Sequence, residues 1–206
     1  MAQTFSDLSQ EKQQQILDAA AEVFAEEDYK RASTDDIAAR AGISKGLLFY
    51  YFKNKQSLYL YVADHLRSLV ERHLERGALA EITDFFDMLD YGTEEKLRLF
   101  RRQPWILNLA LRLYYVTDKE VASPLRRRFM EMLEEMWGTY FSHIDREKFR
   151  PEVEPRLVLD QLIYLIDGYL HQQMMRGVKI DMDTLMAEYA VWRDMLRQYA
   201  YKEEYQ

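Results

Sequence analysis

Between Thr34 and Lys55, in the stretch TDDIAARAGISKGLLFYYFKNK, a helical spacing of apolar residues stops at a glycine and resumes almost at once. Ile37, Ala38 and Ala41 keep the three-and-four interval of a helix face before Gly42, and Leu47, Leu48 and Tyr51 take it up after Ser44. Two short helices joined by a turn centred on Gly42-Ile43, a helix-turn-helix, are therefore predicted. Ser33 stands three residues before Asp36, a capping-box spacing, and the pair Asp35-Asp36 suits the positive end of the helix dipole. Gly42 can adopt the left-handed conformation that stops the first helix. Ser44 can cap the second, leaving Lys45, Gly46, Phe49 and Tyr50 on its outer side while Leu48 and Phe52 turn inward.

The charge pattern bears on what that outer side meets. Acids outnumber bases 35 to 28 over the 206 residues, giving a net charge of −7, yet no Asp or Glu occurs from Ile37 to Ala63. The charges in that window are Arg40, Lys45, Lys53 and Lys55. A local cationic surface on an acidic chain is the footprint expected for phosphate binding, and the overall acidity argues against a general polyanion binder. An arbitrary run of four bases would more often be a solvated face. Here caps, turn glycine and outward aromatics coincide with it.

On these residues the chain resembles the DNA-binding domain of the TetR family of transcriptional regulators. The resemblance covers residues 11 to 60. It is carried by ILDAAAEVFAEEDY in a first helix, TDDIAARAGIS in the second and KGLLFYYFKNKQSL in the third and the start of a fourth, with Gly42, Gly46, Tyr51-Phe52 and Lys55 at the family's spacing. It departs at Asp28, where the family usually has glycine and left-handed backbone with some strain would follow, and at Phe49, where tyrosine is commoner and a hydroxyl donor is lost. The resemblance implies that Thr34, Ser44, Tyr50, Tyr51 and Lys55 hold phosphates while Lys45, Gly46 and Phe49 face base edges. Lys45 can donate to guanine and Phe49 can touch a thymine methyl. It further implies a homodimer on a near-palindromic double-stranded DNA operator, assembled through the last two helices.

The rest of the chain reads as helices. Seven glycines and four prolines favour them, and the absence of cysteine excludes a disulfide framework and thiolate metal sites. No signal peptide is read and no apolar run nears the roughly 20 residues that span a bilayer, so a soluble, cytoplasmic protein without membrane contact is expected. Met1 to Leu8 reads as a frayed polar end, and Lys12 as a free surface lysine in preference to a contact with the DNA backbone. Ile16, Ala19, Ala20, Val23 and Phe24 stripe a first helix; Leu58, Tyr61, Val62, Leu66, Leu69 and Val70 stripe a long fourth, running to about Leu79 without Pro or Gly before Gly77. Phe85, Phe86 and Leu89 form a short face before Gly92, and Leu97 and Phe100 another before Pro104. Trp105 to Val116 and a segment started by Pro124 follow. Leu157 to Leu170 is apolar nearly all round and Leu185 to Tyr199 keeps helical spacing, so these two must bury a second side against something else.

The fold class expected is all-α, with about nine helices. An amino-terminal three-helix DNA-binding domain (residues 1–55) precedes a larger helical ligand-binding and dimerisation domain (residues 56–206). No GxSxG, HExxH or phosphate-cradling glycine loop is present, and neither enzyme nor cofactor chemistry is expected. His65 and His73 lack a third metal ligand. Aromatic and apolar residues with a few polar groups describe a small-molecule pocket. The resemblance implies an inducer site among Phe85, Phe86, Trp105, Asn108, Arg112, Tyr115, Met130, Trp137, Tyr164, Asp167 and His171. Arg112 would favour an anionic ligand and Asp167 a cationic one; Asp167 and His171 could also pair as base and orienter, though pocket or interface roles suit them better. The rival readings are an all-helical enzyme or an interaction adaptor carrying an incidental helix-turn-helix.

Overall fold

In the computed structural model, residues 4–75 and 79–206 are described. Among them nine α-helices run as α1 (Gln10–Glu26), α2 (Thr34–Arg40), α3 (Lys45–Phe52), α4 (Lys55–Glu75), α5 (Phe85–Arg102), α6 (Pro104–Tyr114), α7 (Ala122–Tyr140), α8 (Pro155–Met175) and α9 (Met182–Ala200). Short 3-10 turns sit among them, and no named strand occurs among the described residues. The chain divides into two compact units, one of Met1–Glu81 with Asp90–Ser142, the other of Ile82–Leu89 with His143–Gln206.

In the first unit α1 lies against α2, α4 and α6. It does so because its stripe of Ile16, Ala20, Val23 and Phe24 is flat and small except at one ring, so neighbouring helices approach closely. Phe24 meets Tyr59 edge-on at 4.7 Å, and Ile37, Leu48, Val62, Ile106 and Leu109 fill the same core. Burial pushes the Tyr59 phenol up to about 12. Tyr29 donates its hydroxyl to Glu120 at 2.8 Å, and the Gln56 amide donates to the Glu120 carbonyl at 2.6 Å, pinning the loop after α6 to the end of α1 and the start of α4.

The second unit is closed by four rings. Phe85, Phe86, Phe149 and Tyr201 meet at right-angled contacts of 4.9 to 5.5 Å, a geometry that aligns ring edges with ring faces. An isolated antiparallel bridge joins Phe149 to Tyr201, with the Arg150 amide on the Ala200 carbonyl at 2.9 Å and the Lys202 amide on the Lys148 carbonyl at 2.9 Å. Asp84 accepts the Phe86 and Asp87 amides at 2.9 and 3.0 Å and Lys148 at 2.7 Å. Burial raises the Asp84 carboxyl, but the Lys148 ammonium and the Asp87 amide outweigh it, and the group ends below the usual carboxylate range.

Several sequence expectations are corrected. The amino-terminal segment is folded where described: Phe5–Asp7 is a 3-10 turn capped by Thr4, and Phe5 is buried. Lys12 is no free surface lysine; its ammonium donates to the Ala41 carbonyl and to Gln15, both at 3.0 Å. Asp28 is not left-handed and stores no strain, because α1 has already ended at Glu26 and the Asp28 carboxylate accepts the Arg31 amide at 2.9 Å. Gly92 does not interrupt α5, whose buried Met88, Leu97 and Leu99 offset a glycine cost of about 1 kcal/mol. The helix expected to start at Pro124 starts at Ala122. α4 is described to Glu75, and Leu79, its expected end, opens a 3-10 turn, Leu79–Glu81; residues 76–78 lie outside the described ones.

Candidate nucleic-acid interface

Local bonds build the helix-turn-helix. Ser33 Oγ accepts the Asp36 amide at 3.3 Å and Ser44 Oγ accepts the Leu47 amide at 3.1 Å, so each serine caps the helix that follows it. Gly42 sits at φ +60°, and the Ile43 amide turns back to the Ala38 carbonyl at 3.0 Å, the closure of a Schellman-type helix end. Leu48 and Phe52 are buried beneath α3, while Lys45, Gly46, Leu47 and Tyr50 are exposed. Phe49 is half-buried rather than fully outward.

Gly46 is informative for what does not surround it. A methyl group built there would meet only Ser44 Oγ, at 3.9 Å, so nothing inside the fold requires glycine at this position. Glycine there weakens the helix by up to about 1 kcal/mol relative to alanine.

The window free of acids in sequence is not free of them in space. Arg40 makes a two-pronged pair with Glu26 of α1 at 2.9 and 2.7 Å and a further one with Asp36 at 3.0 Å. Lys45 pairs with Asp35 at 2.8 Å. Lys55, at the start of α4, donates to the Lys30 carbonyl at 3.1 Å and stands 5.0 Å over the Tyr29 ring; burial holds its ammonium below the ordinary lysine value against the pull of Asp28, Asp118 and Glu120. Lys53 is exposed at φ +61°, the one non-glycine with positive φ among the described residues. Thr34 opens α2 and is half-buried; the Tyr51 ring packs at 5.5 Å from that of Tyr50.

The residues expected at a ligand site are distributed over both units. In the first, Trp105 packs half-buried on the core, Asn108 and Met130 are exposed, Tyr115 lies edge-on to Tyr114 and Trp137 stacks on Phe141. Arg112 donates to the Ala25 and Glu26 carbonyls at 2.8 and 2.7 Å, at the end of α1. In the second, Phe85 and Phe86 are fully buried, Tyr164 and His171 are exposed and Asp167 is half-buried. An open groove of about 340 Å³ there is lined by Gln161, Tyr164, Leu165, Met195 and Leu196.

Nine α-helices among the described residues, with a capped, glycine-turned pair near the amino terminus, define an all-α protein carrying a helix-turn-helix. Residues 16–62 match the model of bacterial regulatory proteins of the tetR family. The chain is 43% identical over 188 residues to the fatty acid metabolism regulator protein of Bacillus subtilis, covering 84% of this chain and 89% of that one. It is 33% identical over 128 residues to the transcriptional activator FasR of Mycolicibacterium smegmatis, covering 56% of this chain and 52% of FasR, so it spans about half the length of that relative. The fold matches that of the Bacillus subtilis regulator FadR solved with stearoyl-CoA, with a TM-score of 0.68, 23% identity and coverage of 88% of this chain and 96% of that one. Of the two identities to Bacillus subtilis proteins, the 43% along the sequence carries the family assignment; the 23% from superposition carries the fold alone. The chain belongs to the TetR family of helix-turn-helix transcriptional regulators.

Proposed function

We infer that the protein is a ligand-responsive repressor that binds a near-palindromic operator as a homodimer and is released by a largely apolar inducer. In this reading residues 1–55 serve DNA binding and residues 56–206 serve ligand binding and dimerisation, with no catalytic role. The observation that carries it is the outer side of α3, where Lys45, a glycine without an internal reason, and Tyr50 are presented together above a buried Leu48 and Phe52. Thr34, Ser44, Tyr50, Tyr51 and Lys55 hold phosphates, and Lys45, Gly46 and Phe49 approach base edges. Lys45 exchanges Asp35 for DNA, because an exposed pair of this kind contributes only about 0–1 kcal/mol. Acting on DNA, the protein works in the cytoplasm.

Dimerisation through α8 and α9 is supported by the apolar residues these helices leave in the open, among them Leu157, Tyr164, Met174, Met175, Val191 and Met195. For the inducer, relatives named for fatty acid metabolism and for a stearoyl-CoA complex favour a fatty-acyl thioester. Its apolar tail calls for a wall of aromatic and apolar side chains, the kind that Trp105, Tyr115, Met130 and Trp137 of the first unit supply. Release follows only if the ligand binds the DNA-incompetent arrangement more tightly, since differential affinity alone shifts an equilibrium.

A thermal-shift screen of acyl-CoA thioesters and free fatty acids, followed by gel shifts with the DNA upstream of the protein's own gene, tests this reading. A long-chain acyl-CoA is expected to raise Tm and to weaken operator binding at least fivefold, at the lower end of ordinary allosteric couplings. A thioester that stabilises the protein and leaves operator affinity untouched contradicts the proposed coupling.

A further inference from the structure

Phe5 is a large ring in a stretch that otherwise reads as polar, and the structure buries it to 7% exposure. The segment that carries it is tied down at both ends. Thr4 donates its amide and its hydroxyl to the Asp7 carboxylate, both at 2.7 Å, and the Gln13 side-chain amide donates to the Leu8 carbonyl at 2.8 Å. The ring then enters a box whose walls come from the end of α3 and from α4. It lies 4.8 Å from Phe52, 5.3 Å from Tyr61 and 5.9 Å from Tyr51, while Phe52 and Tyr61 close the box at 5.4 Å.

Tyr51 is thereby held between two rings, edge-on to Phe5 at 68° and to Tyr50 at 70°. Its hydroxyl takes no partner among the described residues. A phenol whose ring is fixed and whose hydroxyl is open is prepared to donate to a phosphate without first losing rotamer freedom, and such ordering otherwise weakens binding.

We propose that Phe5 is a positioning residue for operator binding, wedged against Tyr51 so that its hydroxyl is held in the direction of the DNA backbone. This rests on the DNA-contact role assigned above to Tyr51. Phe5 itself touches no DNA. The amino-terminal segment thus acts as the third side of the recognition unit, and its contribution runs through one side chain.

A double-mutant cycle in the full-length protein tests this, with operator affinity measured by fluorescence anisotropy and folding checked by circular dichroism. Phe5→Ala is expected to weaken operator binding about tenfold in the wild-type background and less than twofold in the Tyr51→Ala background. Phe5→Leu, which keeps most of the buried volume without a ring edge, runs beside it and keeps the cycle measurable should Phe5→Ala fold poorly; it is expected to show the same dependence on Tyr51 with a smaller loss. Equal losses in both backgrounds would mean that Phe5 only stabilises the fold, and the positioning role would fall while the Tyr51 contact stood. If Tyr51→Ala alone binds operator like the wild type, the contact and the wedge fall together.

Discussion

A guanidinium from one helix completes the end of another in this protein. α1 has no basic residue in its own last turn, and its final carbonyls carry the negative end of the helix dipole. Arg112 of α6 supplies the missing donors, with Nε on Ala25 at 2.8 Å and Nη2 on Glu26 at 2.7 Å. Arg112→Ala should therefore cost roughly 2 kcal/mol in urea unfolding, since a hydrogen bond from a charged group contributes about 1.5–3 kcal/mol and one of these is solvent-exposed. Arg112→Lys should recover little of it, because a single ammonium cannot reproduce the fork. If Arg112→Ala keeps wild-type stability but loses the response to acyl-CoA, the side chain belongs to the ligand and not to α1. This residue also shows where reading from sequence ends. Ser33, Ser44 and Gly42 were legible because cap and capped amide lie within three residues, or a glycine marks its own φ. Arg112 and its partners are separated by more than 80 positions, and an arginine in an apolar helix reads equally well as a ligand's counter-ion. The partners of Arg40 and Lys12 were hidden in the same way, as was Phe5, whose burial depends on Tyr51, Phe52 and Tyr61.

At the level of elements, α4 was legible from its stripe, and its titratable groups were not. His65 lies half-buried on it with Nε2 making no hydrogen bond among the described residues. Burial holds the imidazole below its ordinary value, against the pull of Asp18 and with the push of Arg72. A histidine whose folded pKa is depressed leaves the unfolded chain binding more protons, so its contribution to stability is present above the unfolded value near 6.5 and is lost as pH falls below it. Thermal denaturation from pH 7.5 to 5.5 should show a falling Tm, and His65→Gln should flatten that slope; an unchanged slope would assign the acid sensitivity to another group. α5 shows the converse limit. Gly92 and the polar run behind it signal a break, and the helix continues because burial on both sides of the glycine outweighs a propensity worth about 1 kcal/mol. α8 was apolar all round in sequence, and the structure buries Val158, Leu159 and Leu162 while leaving Leu157 and Tyr164 open. Its second side awaits the partner proposed above.

At the scale of the whole molecule, the dimer proposed above sets two copies of α3 on one operator. Two recognition helices in successive major grooves stand roughly 34–36 Å apart, one turn of the duplex. The Gly46 surface, the capped α3 and the uncovered faces of α8 and α9 all bear on that arrangement, and hydroxyl-radical footprinting of the full-length protein on the DNA upstream of its gene measures it directly. Two protected patches are predicted on the same face of the duplex, centred about 10–10.5 base pairs apart over a near-palindrome, and both should fade together as long-chain acyl-CoA is added. A single patch, or two that fade at different ligand concentrations, would contradict a dimer released as one unit.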